Sequence, residues 1–115
     1  MPNLNEYFIH HEDVRRANGL VHRALEPAMD DALWANVRGG ARFLARRVSG
    51  AGLDVHRGSG SAPMVRARRG DPVVHLSGDP GELLLFLFGR QAVADVELTG
   101  PAAAITAVRG AHLGM

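Results

Sequence analysis

The sequence predicts an α+β fold: an N-terminal helix, then a small sheet of about four strands with helices packed on it. Two segments within residues 4–48 repeat apolar side chains at helical spacing, and from Leu53 the period drops to two. A helix start, "DPGELLLFLFGR", then follows the strand-like runs, so helices and sheet share one core. At 115 residues and 46% hydrophobic, the chain can bury one real core and is too short for two.

Leu4 to Ala17 reads as the first helix because Leu4, Tyr7, Phe8, His11 and Val14 recur at three- and four-residue spacing, which sets these five toward the core. Asn18 and Gly19 supply the stop. The stretch "LVHRALEPAM" has no period and carries Pro27, so it reads as a connection. A second helix is expected over residues 30–48, with Asp30 as N-cap and Leu33, Trp34, Val37, Ala41, Leu44, Ala45 and Val48 as its stripe. Gly39 and Gly40 inside it each cost about 1 kcal/mol against alanine, which points to close packing there. Trp34 and Phe43 are expected to be packing anchors.

"LDVHR", "MVRARR" and "PVVHLSG" are short β-prone runs separated by "GSGSAP" and "GD", which predicts three successive strands, the first two paired as a hairpin. In the next segment Asp79 is placed to cap, Pro80 suits the first helical position, and Glu82 stands where a capping box puts a glutamate. This helix is apolar nearly all round and therefore buried. "DVELTG" returns to strand character, and Pro101 opens a last helix.

Composition narrows the chemistry. Without cysteine there is no disulfide and no thiolate ligand or nucleophile, so any catalytic metal would rest on histidines and carboxylates. No apolar run approaches the roughly 18 to 20 residues that span a bilayer, and "MPNLNEYF" lacks the pattern of a signal peptide, so a cytoplasmic protein without a membrane partner is expected. A net charge of +1 gives no strong field for nucleic acid. Arg66, Arg68 and Arg69, with Arg57 nearby, read first as a solvated sheet face and second as an anion site, and alternation sets Arg69 apart from the other two. "GSGSAP" lacks the lysine and following helix of a phosphate loop.

The stretch "NEYFIHHEDVRRA" holds the strongest motif. At about 100° per residue, Glu6, His10 and Asp13 fall on one helix face. A glutamate and a histidine one turn apart can reach the same divalent cation, and a carboxylate three residues on can orient the imidazole. The same spacing also arises in an ordinary solvated polar face, so the residues alone leave both readings open. His22, His56, His75 and His112 are scattered through the chain, with no spacing that converges on Glu6.

Glu6, His10 and Asp13 match, one by one, the Glu-x-x-x-His-x-x-Asp pattern of the mycothiol-dependent maleylpyruvate isomerase family, within the DinB-like metal-binding proteins. "GDPGELLLFLFGR" followed by "VELTG" resembles that family's C-terminal domain, which is similar in fold to sterol carrier protein. The resemblance implies that residues 1–19 correspond to the last helix of a metal-binding four-helix bundle and residues 20–115 to the C-terminal α+β domain. It further implies a divalent metal, usually zinc, held by Glu6 and His10 with Asp13 behind them and a histidine from an earlier bundle helix, and mycothiol as a possible cofactor. The expected partner is that bundle or a second copy of the chain. The alternative is a non-enzymatic sterol-carrier-like module that takes a small apolar ligand between Leu83, Leu84, Phe86, Leu87 and Phe88, or a protein partner.

Overall fold

A computed structural model describes residues 4–19, 24–59 and 63–115. The element order is α1 (Leu4–Ala17), α2 (Pro27–Leu44), β1 (Gly52–Arg57), β2 (Met64–Arg68), β3 (Val73–Gly78), α3 (Pro80–Leu87), β4 (Glu97–Thr99) and α4 (Ala102–Arg109). The fold is α+β, with one mixed four-stranded sheet in the order β2-β1-β3-β4. No helix among the described residues is long and apolar enough to cross a membrane.

β1 and β2 form the expected antiparallel hairpin, with Val55 opposite Val65 and Asp54 opposite Arg66. β3 does not pair with β2. It lies on the other side of β1 and runs parallel to it, Val55 opposite Leu76, while β4 closes the far edge antiparallel to β3. A parallel neighbour usually needs a long crossover, but β2 already carries the chain back to the beginning of β1, so four residues suffice. That short connection passes against the start of β1 at two glycines. A Cβ on Gly52 would lie 2.5 Å from the Gly70 carbonyl oxygen, and one on Gly70 would lie 2.6 Å from that of Ala51. Only residues without a side chain allow this crossing.

Alternation divides the sheet. Leu53, Val55, Val74 and Leu76 point to a core shared with Leu33, Val37 and Ala41 of α2 and with Ala104 and Val108 of α4. All eight residues of α3 are buried, as its apolar circumference predicts, and it packs chiefly on α2 while touching α1 and β3.

Several expectations change. Pro27 opens α2 instead of interrupting a connection, because proline at the first helical position has no needed N–H to lose, so Glu26 and not Asp30 precedes the helix. The helix ends at Leu44, and turns carry Ala45 and Val48 onward, still buried. Among the described residues Gly39 has no heavy atom within 4 Å of an added Cβ and Gly40 meets Leu44 at 3.7 Å, so the described residues show no close packing at these glycines. Trp34 is a core anchor, whereas Phe43 is 55% exposed, with the Arg46 guanidinium 3.9 Å over its ring. Asp79 precedes α3 without a side-chain cap hydrogen bond.

The largest correction concerns α1. Of the five residues expected to face the core, Phe8 is buried, Leu4 is half-buried, and Tyr7, His11 and Val14 are exposed. The buried face is Phe8, Ile9 and Glu12. The helix is thus turned by about a quarter revolution from the apparent stripe, because charged groups on its inner side find partners in the body of the domain.

Candidate functional site

Helix α1 has two unlike faces, and the candidate site lies on the outer one. Its inner face is fixed by ions. Arg16 donates to both oxygens of Glu82 in α3, Nη1 to Oε1 at 2.8 Å and Nη2 to Oε2 at 2.7 Å, and to the Val93 carbonyl at 2.6 Å. Glu12 accepts from Arg16 Nη2 at 3.0 Å and from Arg15 Nη1 at 2.9 Å. The Asp95 backbone N–H donates to Glu82 Oε1 at 2.9 Å, which extends the cluster into the segment ahead of β4. Glu82 therefore serves as an acceptor for α1. Its hydrogen bond, followed by that of Glu12 and the charges of both, pushes the Arg16 pKa above its ordinary value despite burial.

Asp13 sits at the edge of this face. Arg90 donates Nε to Asp13 Oδ1 at 3.1 Å and Nη2 to Oδ2 at 2.7 Å, a two-pronged pair between α1 and the α3–β4 connection. The Arg90 hydrogen bond, and secondarily the charges of Arg90 and His10, hold the Asp13 carboxyl below its usual range. The group matched to an imidazole-orienting role is thus oriented first by Arg90.

The outer face carries Glu6, Tyr7, His10, His11 and Val14 around a shallow hollow of about 470 Å³. Tyr7 and Val14 are 63% and 52% exposed, and the Tyr7 and His11 rings stack with centroids 6.1 Å apart. Glu6 and His10 share this hollow, as their spacing requires. No group of three or more histidine, aspartate or glutamate side chains suited to a metal occurs among the described residues. Of the other histidines, His22 lies outside the described residues and His112 is exposed beyond α4.

His56 and His75 do converge, on each other. His56 Nε2 lies 2.9 Å from His75 Nδ1, with ring centroids 5.1 Å apart. That separation is close to the sum of the contact and the two ring radii, so the nitrogens face each other along the line between rings. At that distance one imidazole N–H donates to the facing ring nitrogen of the other, the tautomers setting which ring is the donor. Parallel register makes the pair: His56 is opposite Ser77 and Asp54 opposite His75, so the histidines are diagonal neighbours on the sheet face away from the core. Nothing in a 19-residue separation announces it, because β3 is placed parallel to β1 only by the glycine crossing.

Leu83, Leu84, Phe86 and Leu87 are fully buried in the core, and Phe88 is half-buried against it. The four described hollows are lined by other residues. A polar one, of about 500 Å³, lies where β1 and β3 end, beside Ser77, Asp79, Asp95 and Glu97. No family model, curated protein or solved structure matches the chain.

Proposed function

We propose that α1 contributes two donors, the Glu6 carboxylate and the His10 imidazole, to a divalent-metal site that closes when a second helical surface is laid on its outer face. One observation carries this reading. A helix already anchored through its inner side displays a second apolar surface, Tyr7 and Val14, and the two candidate ligands share its hollow. An apolar outer strip on a surface helix fits a helical neighbour, the arrangement that the maleylpyruvate isomerase resemblance implies.

Two donors do not make a catalytic zinc centre, which takes three protein ligands and an open position, and the described residues supply no third. No reaction step is assigned to this chain alone. Isomerase or thiol-transferase chemistry, with mycothiol as the thiol, belongs to an assembly that adds a further ligand. A second copy is the occupant we favour for this chain by itself: two Glu6–His10 pairs about a two-fold axis bring four donors, a closed tetrahedral site of the structural kind, whereas the open position that the chemistry needs goes with a bundle that adds a single ligand. A cytoplasmic location, where small thiols stay reduced, goes with this reading. The apolar-ligand alternative rests on Leu83, Leu84, Phe86 and Leu87, which are fully buried, and on Phe88, which is half-buried.

The test is metal content and mass together. Dialysed protein should retain zinc at about one ion per pair of chains and sediment as a dimer, and both properties should fall in Glu6→Ala and His10→Ala. Trace zinc that is equal in all three proteins, with a concentration-independent monomer mass, would overturn the proposal.

A further inference from the structure

We propose that the β2 edge of the sheet is a binding site for a phosphate-bearing anion, held by Arg42, Arg66, Arg68 and Arg69. These four side chains, with Met64 and Ala67, line a hollow of about 530 Å³ that has no carboxylate among the described residues of its wall. Strand alternation assigns Arg69 to the opposite face from Arg66 and Arg68, but β2 ends at Arg68, so Arg69 is free to turn to the same hollow. Arg42 reaches it from α2, an approach that no single-strand pattern shows.

Charged residues on an edge strand also serve to block unwanted strand pairing, and that role needs charge alone. Here two of the arginines are braced. Arg68 Nε donates to the Val48 carbonyl at 3.0 Å. Arg66 Nε donates to Asp54 Oδ1 at 3.0 Å, and Asp54 is itself buried in the central strand. Bracing through Nε leaves the terminal Nη groups of Arg68 for a ligand, and pre-ordered guanidinium forks lose less freedom on binding. Arg42 and Arg69 are exposed and have no ion-pair partner among the described residues. Four guanidinium groups less the one Asp54 carboxylate leave three positive charges around one hollow, in a chain whose net charge is +1. Such a fork cluster matches the tetrahedral, multiply charged oxygens of a phosphate better than a single carboxylate.

Titration of the intact chain with sodium pyrophosphate in a calorimeter should give one saturable site. Arg42→Gln and Arg69→Gln should each weaken it by about tenfold, since each removes a charge-assisted contact worth roughly one decade. Arg109→Gln, which removes the same charge from α4, should change it by less than about twofold. Arg42 and Arg69 are exposed and have no ion-pair partner among the described residues, so these two variants should keep the wild-type circular dichroism. Flotation with phosphatidylcholine vesicles containing phosphatidate distinguishes the source: flotation that Arg42→Gln abolishes assigns a lipid headgroup, and pyrophosphate binding without flotation assigns a soluble phosphate ligand. Absence of saturation, or equal weakening by Arg109→Gln and Arg42→Gln, would overturn the site.

Discussion

The two faces of α1 use opposite chemistry at comparable positions along one helix. The inner face buries a glutamate and an arginine against another glutamate, while the outer face leaves a tyrosine and a valine in water. Hydrophobic letters alone would reverse the two. The contrast teaches that this helix is oriented by specificity of charge placement: Arg16 has one place where two carboxylates and a carbonyl converge, whereas apolar contacts tolerate many rotations. The apolar side is left over for a second surface.

The largest effect should come from removing the centre of the ion cluster. Arg16→Ala leaves Glu12 and Glu82 buried near each other without their shared cation, and breaking a buried pair in this way costs about 3–5 kcal/mol. The midpoint of urea unfolding, with its slope unchanged, reads this loss. Replacing Glu12, Arg16 and Glu82 together by leucine, methionine and leucine should restore most of it, because a buried ion triad is often no more stabilising than apolar groups of similar volume. If the triple variant is instead as unstable as Arg16→Ala, the cluster supplies strength as well as address.

Phe8→Ala should follow, at about 3 kcal/mol, since Phe8 is the large apolar group of the inner face and lies against the backbone of α3. A Cβ on Gly81 would come within 2.7 Å of the Phe8 ring, so the cavity left by alanine opens directly onto α3. Tyr7→Ala, one residue earlier and on the outer side, is the matched control. Equal losses at both positions would erase the distinction between the faces.

How much of this was legible follows from the same contrast. α3 is legible in the sequence because Asp79-Pro80 marks a start and an unbroken apolar run marks burial, both local signals. The hairpin was legible for the same reason. The rotation of α1 was not, since Glu82 is 66 residues from Arg16 and a glutamate three residues after a cap suggests a capping box. The position of β3 was hidden in Gly52 and Gly70, which look like ordinary turn glycines until their backbones meet. With it went the His56–His75 contact. In the candidate site, the shared face of Glu6 and His10 was readable from spacing, and the prior engagement of Asp13 by Arg90 was not.

The Asp13–Arg90 pair gives a smaller, pH-dependent effect. Its side chains are each 38% exposed, so water screens the pair and Asp13→Asn should cost less than about 1 kcal/mol at neutral pH. The folded-state carboxyl titrates below its unfolded value. Its contribution is therefore fully present above the unfolded value near 3.8 and is lost as pH falls through the lower folded one. Wild type and Asp13→Asn should differ in stability at pH 6 and converge in strongly acid solution. A difference that grows on acidification would assign the depressed titration to another group.

The smallest effect on folding should be at the outer face, and it separates the two surfaces most sharply. Tyr7→Ser and Val14→Ser remove exposed apolar area, so each should change the unfolding free energy of dilute protein by less than about 0.5 kcal/mol. The double variant should nonetheless sediment as a monomer at concentrations where the wild type pairs, because the area lost is the area a second copy would cover. Arg16→Ala predicts the reverse pattern, a large loss of stability from a residue that touches no outer surface. If serine at both outer positions instead destabilises dilute monomer by about 2 kcal/mol or more, Tyr7 and Val14 pack within one chain, and α1 has no face left for a partner.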